Sequence, residues 1–229
     1  MNKRIILIIF ILFIAAGGIY LFLNTGNYNS YVENHWDDDV GTVDKIIYGN
    51  PNSTTEIVLV LGIHPREKLA IEPELESAKQ FAAYHDVKLV VYYVNVTQNA
   101  DEYQQSRNNG EHLVKEYVVP DIEKSNAKAV IISHSHIEGY GEGFYLATPA
   151  MDNVSVKIAV EIADKSDFNY FPTNKSQPLK ASSAILISKP LADAGYPTFV
   201  YEIPEDITEQ DSTSKGIALL ELIFNIVKN

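Results

Sequence analysis

The residues best suited to chemistry in this chain are histidines and a glutamate that directly follow apolar runs. His64 and Glu67 stand three residues apart after one such run, and His134 and His136 close another. A catalytic zinc site takes three nitrogen or oxygen ligands from the protein and leaves one position open. His64, Glu67 and one of the other two histidines supply that set, while the remaining histidine would line the pocket. His-x-x-Glu alone also arises by chance, so its position after an apolar run is what favours a metal site.

Two further charged residues are candidates for catalysis. Glu202 interrupts the apolar run 198–203, where an ionised carboxylate needs either a partner or a chemical role. Beside a metal it can act as the base that takes a proton from water, and a salt bridge at the sheet edge is the alternative. Arg107 is the one arginine besides Arg4 and Arg66. It could stabilise the oxyanion of a tetrahedral intermediate, and exposure to solvent is the alternative.

The elements that position these residues follow from the apolar pattern. Continuous Val, Ile and Leu runs are typical of strands in a sheet that is covered on both faces, and they occur at residues 57–63, 87–94, 129–133 and 198–203. Amphipathic helical patterns lie between or after them, at residues 71–82, 156–163 and 217–227. This alternation predicts an α/β fold, a three-layer α/β/α sandwich with a mostly parallel mixed sheet. Ligands of such folds bind beyond the carboxyl ends of the strands.

The N-terminus has the pattern of a membrane anchor. Residues 5–23 are an unbroken apolar run of nineteen residues that follows Lys3 and Arg4. As a helix this run would be about 28 Å long, close to the thickness of the hydrocarbon core of a bilayer. We therefore expect one transmembrane helix within residues 1–23, with a cleaved signal peptide as the alternative. The positive charges before the run predict a single-pass protein with a cytoplasmic N-terminus and an extracellular domain.

The rest of the chain reads as a polar juxtamembrane linker over residues 24–36 and one hydrolase domain over residues 37–229. The net charge of −12 argues against nucleic acid as a partner, and the absence of cysteine excludes a thiolate ligand or nucleophile. Four glycosylation sequons fit an extracellular glycoprotein, at Asn52, Asn95, Asn153 and Asn174.

The segments that carry these residues resemble the zinc carboxypeptidase family, which includes succinylglutamate desuccinylase and aspartoacylase relatives. GIHPRE is similar to the first metal-binding segment of the family, KAVIISHSH to its second-histidine segment, and GYPTFVYEI to the segment of its catalytic glutamate. The resemblance implies one zinc ion per chain, held by His64, Glu67 and His134. It favours His134 over His136 because serine follows the ligand histidine in the family, and it implies Glu202 as the base.

The resemblance also implies roles for residues outside the three segments. Arg107, with Asn109, falls in the interval of the family's oxyanion arginine, and Tyr170 is the nearest candidate for its pocket tyrosine. Carboxypeptidases use a further Asn-Arg pair for the terminal carboxylate of the substrate, and no second arginine is left here for that pair. We expect a membrane-anchored extracellular zinc peptidase, with a cell-wall or surface peptide as substrate. The alternatives are an amide deacylase acting on acyl-amino acids and a non-catalytic surface binding module.

Overall fold

The computed structural model describes residues 30–171 and 182–228, and eight strands form one sheet within them. The strands are β1 (Ser30–Asp38), β2 (Gly41–Gly49), β3 (Glu56–Leu61), β4 (Lys88–Val96), β5 (Ala129–His136), β6 (Tyr145–Ala147), β7 (Asn169–Phe171) and β8 (Thr198–Pro204). Their order across the sheet is β1-β2-β4-β3-β5-β8-β6-β7. The four predicted strands correspond to β3, β4, β5 and β8. These four are neighbours and run parallel, whereas β2 and β6 pair antiparallel to β4 and β8.

Helices cover both faces of the sheet, which confirms the predicted α/β class. The α-helices are α1 (Glu72–Ala82), α2 (Tyr103–Leu113), α3 (Val119–Ile122), α4 (Asn153–Lys165), α5 (Lys189–Asp193) and α6 (Glu209–Val227). A 3-10 turn (Lys68–Ala70) precedes α1, and π-helical turns precede α3 (Val114–Val118) and α5 (Ala184–Ser188). One core cluster packs α1, α4 and α6 against the sheet, and a second packs α2, α3 and α5 against the opposite face. Every residue of β3 is buried because that strand lies between both layers.

The outer strands differ from the sequence prediction. β1 includes residues 30–36, which the polar pattern assigns to a linker, so that part of the linker prediction is wrong. The segment pairs with β2 on one side only, and most of its residues are exposed. An edge strand of this kind keeps polar residues because no second layer covers it. β2, β6 and β7 were not predicted either.

The predicted anchor and the start of the linker lie outside the described residues, as does the sequon at Asn174. No helix within the described ranges is both long and apolar enough to cross a membrane. The other three sequon asparagines, Asn52, Asn95 and Asn153, are exposed.

Candidate metal centre

Two loop-and-strand segments meet at one edge of the sheet. β3 and β5 are parallel neighbours, so the chain leaving β3 arrives beside the end of β5. Gly62 turns the chain there with a φ of +80°, and a Cβ at this position would lie 2.1 Å from the carbonyl oxygen of Val94. Glycine is therefore the residue that fits this turn. The turn brings His64 and Glu67 next to His134 at the end of β5.

The carboxylate of Glu67 lies between the two imidazole rings. His64 Nδ1 is 2.8 Å from Glu67 Oε1, and His134 Nδ1 is 2.8 Å from Glu67 Oε2. One possible ligand atom from each residue lies within 4.8 Å of the others, and the ring centroids are 4.5 Å apart. Two imidazole nitrogens and one carboxylate are a known catalytic zinc set. The structure thus brings together the three predicted ligands, and their donor chemistry fits zinc.

The charges of this group favour a cation. Burial alone would raise the pKa of Glu67, but His134 and His64 outweigh burial and hold that pKa well below its usual range. Burial lowers the pKa of the His64 imidazole, but its hydrogen bonds to Glu111 and Glu67 outweigh burial and raise it. Glu67 is therefore ionised at neutral pH. Because a histidine must be neutral to bind a metal, metal and proton compete for His64.

Glu111, on α2, belongs to the site although sequence reasoning missed it. It is buried, its Oε1 lies 3.4 Å from His64 Nε2, and it accepts a hydrogen bond of 2.6 Å from Ser182 Oγ. A carboxylate behind a ligand histidine fixes the ring orientation and makes the other nitrogen a better ligand. Its one sequence signal is the four-residue spacing from Arg107, which places both on one helix face.

We expect Glu111→Gln to lower metal affinity by about 10–100-fold, the usual effect of losing such a partner. The swap keeps the shape of the side chain and removes its charge. Competition against a chelating dye measures the affinity, and Glu116→Gln, an exposed position on the following helical turn, is the matched control. Equal affinity in both variants would restrict Glu111 to a packing role.

Glu202 lies beside the metal group on the next strand. β5 and β8 pair in parallel with His134 opposite Glu202, so both side chains are on the same face of the sheet. Burial raises the pKa of Glu202 to about 7, because it outweighs the charge of His134, which lowers the pKa. A general base works best when its pKa is close to the working pH. The position and the pKa both suit the predicted role.

Arg107 also reaches the metal group. Its Nη1 donates a hydrogen bond of 2.9 Å to Glu67 Oε1, and its guanidinium carbon lies 5.5 Å from the ring centre of Tyr103. Arg66, which is exposed, lies 5.7 Å from the same ring. Two guanidinium groups thus flank one tyrosine beside the candidate metal ligands, in a chain whose net charge is −12.

Helix α2 approaches the ligand loop through Gly110. A Cβ at this position would lie 1.7 Å from the carbonyl oxygen of Ile63, so only glycine permits the contact. The backbone of α2 therefore rests directly on the loop that carries His64. This contact sets where Arg107 and Glu111 stand relative to the ligands.

His136 has a different position from the predicted one. It is buried, and its ring nitrogens lie 3.2 Å from the carbonyl oxygen of Ile137 and 3.0 Å from that of Gly143. These contacts place the ring between the two ends of the loop 137–143, and the ring N–H can donate to one of the two carbonyl groups. The group of potential metal ligands found among the described residues does not include His136. The geometry gives it the role of holding this loop.

The other two residues predicted to bind substrate are engaged within the protein. Asn109 Nδ2 donates to the carbonyl oxygen of Gln98, and its Oδ1 accepts from Gln105, each at 2.8 Å. Both ends of the amide are used, so we revise that prediction to a structural role. Tyr170 lies on β7, three strands from β5, and its hydroxyl is 2.7 Å from Thr148 Oγ1. Through Leu146 it lies on the same face of the sheet as Tyr201, opposite the face of His134 and Glu202, so we revise its predicted role as well.

Solved structures share this arrangement of sheet and helices. A metallo-carboxypeptidase from Burkholderia cenocepacia is 13% identical with a TM-score of 0.54, over 86% of this chain and 64% of that one. A candidate carboxypeptidase A from Shewanella denitrificans is 16% identical with a TM-score of 0.59, over 90% and 66%. The chain has the metallocarboxypeptidase fold. This confirms the fold that the sequence resemblance implies.

The metallocarboxypeptidase fold also occurs in the cell shape determinant protein Csd4 from Helicobacter pylori. It is 12% identical with a TM-score of 0.57 over 81% of this chain, and the match spans about half of Csd4, 54% of its length. Csd4 structures include a tripeptide-bound form. No protein-family model matches the sequence, and no curated protein matches it.

Proposed function

We propose that this protein is a zinc-dependent peptidase that hydrolyses an amide bond of a peptide. The observation that carries the proposal is the joint placement of His64, Glu67 and His134 at the carboxyl ends of parallel strands, with Glu202 and Arg107 beside them. A fold alone does not define a function, so the proposal rests on these side chains.

Each residue has a chemical task in this proposal. A zinc ion held by His64, Glu67 and His134 would act as a Lewis acid toward the substrate carbonyl and lower the pKa of water. Glu202 accepts the proton of the attacking water and returns it to the leaving nitrogen, which its pKa of about 7 allows in both directions. Arg107 provides a fixed positive charge for the oxyanion that develops on the former carbonyl oxygen.

We further propose that the peptide substrate lies outside the cell, in the cell wall or on the surface. The supporting observations are the apolar run 5–23 with its positive flank, the exposed sequons, and the fold shared with Csd4, which is known with a bound tripeptide. An N-terminal helix within residues 1–23 would anchor the domain to the membrane. An amide deacylase is the second candidate, and the experiment below separates the two.

Metal analysis of the purified full chain tests the proposal first. We expect about one zinc ion per chain, its loss in His134→Ala, and its retention in His136→Ala, because His136 is engaged with the loop carbonyls. Elemental analysis after dialysis gives the stoichiometry. If His136→Ala loses the metal and His134→Ala keeps it, the ligand assignment is wrong, and full retention in both variants rules out the site.

Digestion of a mixed peptide library then identifies the reaction. Cleavage of peptides that stops when zinc is removed and returns when zinc is restored supports the peptidase. Turnover of N-acyl amino acids without cleavage of any peptide would select the deacylase. Zinc binding with neither activity would favour a surface binding module.

A further inference from the structure

A buried polar cluster lies on the face of the sheet opposite the metal group. Glu74, on α1, is 1% exposed, and Ser133 Oγ on β5 donates a hydrogen bond of 3.4 Å to its Oε2. Tyr201, on β8, is 0% exposed. Glu74 Oε1 and the Tyr201 hydroxyl have no hydrogen-bond partner within the described part of the chain. Buried polar groups without partners are rare in folded proteins, so the presence of two of them in this cluster needs a physical explanation.

The register of the sheet connects this cluster to the active site. Ser133 and Tyr201 are paired across β5 and β8, and the next pair along the strands is His134 and Glu202. Side chains alternate between the faces of a strand, so the polar pair lies directly behind the ligand and the base. Any force that shifts β5 against β8 at the first pair also shifts the second.

The packing around Glu74 leaves its carboxyl group little freedom. A Cβ at Gly216 of α6 would lie 2.4 Å from Glu74 Oε1 and 2.5 Å from Ser77 Oγ, so α6 closes the site from the other side. Ser77 Oγ donates to the main-chain carbonyl oxygens of Pro73 on α1 and Thr213 on α6, at 2.8 and 2.9 Å, rather than to Glu74. No Lys, Arg or His of the described ranges forms an ion pair with Glu74. A carboxylate in such a place has nothing to balance its charge.

A protonated Glu74 carries no charge and therefore needs no cation beside it. Burial raises the pKa of Glu74 to about 8, against a smaller lowering by the Ser133 hydrogen bond. The groups that contact Glu74 or feel its charge are Ser77, Ser133, Gly216 and Tyr201. Among these only Tyr201 titrates, and burial followed by the charge that Glu74 would carry raises the pKa of its hydroxyl. Glu74 is therefore a neutral acid at pH 7.

We propose that Glu74 is a positioning residue that holds Ser133 on β5 through their hydrogen bond and thereby the position of His134 relative to Glu202. The role rests on the proposed function, since it acts through the ligand and the base of that reaction. Ionisation of Glu74 places an unpaired charge between α1, α6 and the two strands, and the structure relieves it by moving them apart. Stability then falls as the pH rises from about 4.5 towards about 8, and turnover falls as Glu74 ionises near pH 8.

Stability gives the first test. Because the folded protein holds this proton to a higher pH than the unfolded chain does, the free energy of unfolding falls as the pH rises from about 4.5 to about 8. Glu74→Gln keeps the shape and cannot ionise, so its thermal midpoint should exceed that of the wild type by a margin that grows from about pH 5 to about pH 8 and then stays constant. Glu76→Gln, two residues further along α1 and partly exposed, should follow the wild-type curve. If the thermal midpoints of wild type and Glu74→Gln change with pH in parallel, Glu74 is not a neutral acid in the folded protein.

The pH dependence of turnover tests the positioning role. We expect wild-type kcat to fall about tenfold from pH 7 to pH 9, since a group with a pKa near 8 is then about nine-tenths ionised. Glu74→Gln should resist this fall, and Glu74→Leu should have low kcat at every pH with its zinc content intact. Glu74→Leu with wild-type kcat and the wild-type pH profile would refute the role.

A readout without catalysis separates this inference from the proposed function. In zinc-loaded, imidazole-labelled protein, the nitrogen resonances of His134 should shift as the pH crosses 8, and should not do so in Glu74→Gln. If no peptide is cleaved but the resonances behave in this way, the peptidase proposal fails while the positioning role stands. If the His134 resonances change with pH in the same way in wild type and Glu74→Gln, the positioning role is wrong even if the enzyme is active.

Discussion

Glu202→Gln is expected to lower turnover by about 10²–10⁴-fold while fold and zinc content stay unchanged, because a positioned proton transfer contributes that much. The amide keeps the shape of the carboxylate but cannot accept a proton from water. Glu202 is not among the three candidate ligands, so the metal should remain. Single-turnover kinetics on a peptide found in the library digestion, with zinc analysis of the same sample, measure both quantities.

Glu123→Gln is the matched control, since Glu123 is exposed beyond α3. It should retain the wild-type rate. A Glu202→Gln variant with a rate near that of the wild type would reduce Glu202 to a buried structural carboxylate. Loss of zinc from the variant would instead show that Glu202 supports the ligands, and the base would have to be sought elsewhere.

Arg107→Ala is expected to reduce kcat by about 10²–10³-fold, the usual cost of losing one oxyanion donor. The guanidinium stands beside Glu67, where charge on a substrate oxygen would develop next to the metal group. Its planar, permanently charged group suits this task better than a lysine would. If Arg107 acts on the transition state alone, kcat and kcat/KM fall together and KM stays nearly constant.

Arg66→Ala provides the control for Arg107. Arg66 lies over the same tyrosine ring but is exposed and does not bond to Glu67 in this structure. Zinc analysis must accompany the Arg107 variant, because its bond to Glu67 also touches a candidate ligand. A rise in KM with unchanged kcat would assign Arg107 to a substrate carboxylate, the group that carboxypeptidases bind with their Asn-Arg pair. No change in either constant would leave Arg107 without a catalytic role.

The central part of the fold was predictable because its signals are local. The runs that became β3, β4, β5 and β8 are apolar throughout, as strands buried on both faces must be. β6 and β7 have only three residues each, and they depend on pairing, β6 with β8 and β7 with β6, rather than on their own sequence. β1 is polar because it lies at an exposed edge. No apolar pattern could have revealed these outer strands.

The candidate site also has a part that the sequence predicts and a part that it does not. His64, Glu67, His134 and Glu202 follow or lie within buried strands, so parallel pairing alone brings them to one edge. Glu111 and Glu74 come from helices, and their positions depend on how those helices dock. His136 shares the face of His134 by alternation, yet the carbonyl groups of its own loop engage it. Spacing along a chain predicts a face of an element, but not which neighbour binds the side chain there.

The contact at Gly110 limits which substitutions this site can accept. Helix and loop touch through main-chain atoms, so their separation is fixed by atomic radii and no rotamer can absorb an added carbon. A substitution there would displace Arg107 and Glu111 together, because both lie on α2. The loop held by His136 is packed less tightly at Gly139, where an added Cβ meets nothing within 4 Å, although the φ of +85° itself favours glycine there. The spacing between α2 and the ligand loop is therefore fixed by backbone contact, and a change at Gly110 would have to move both segments at once.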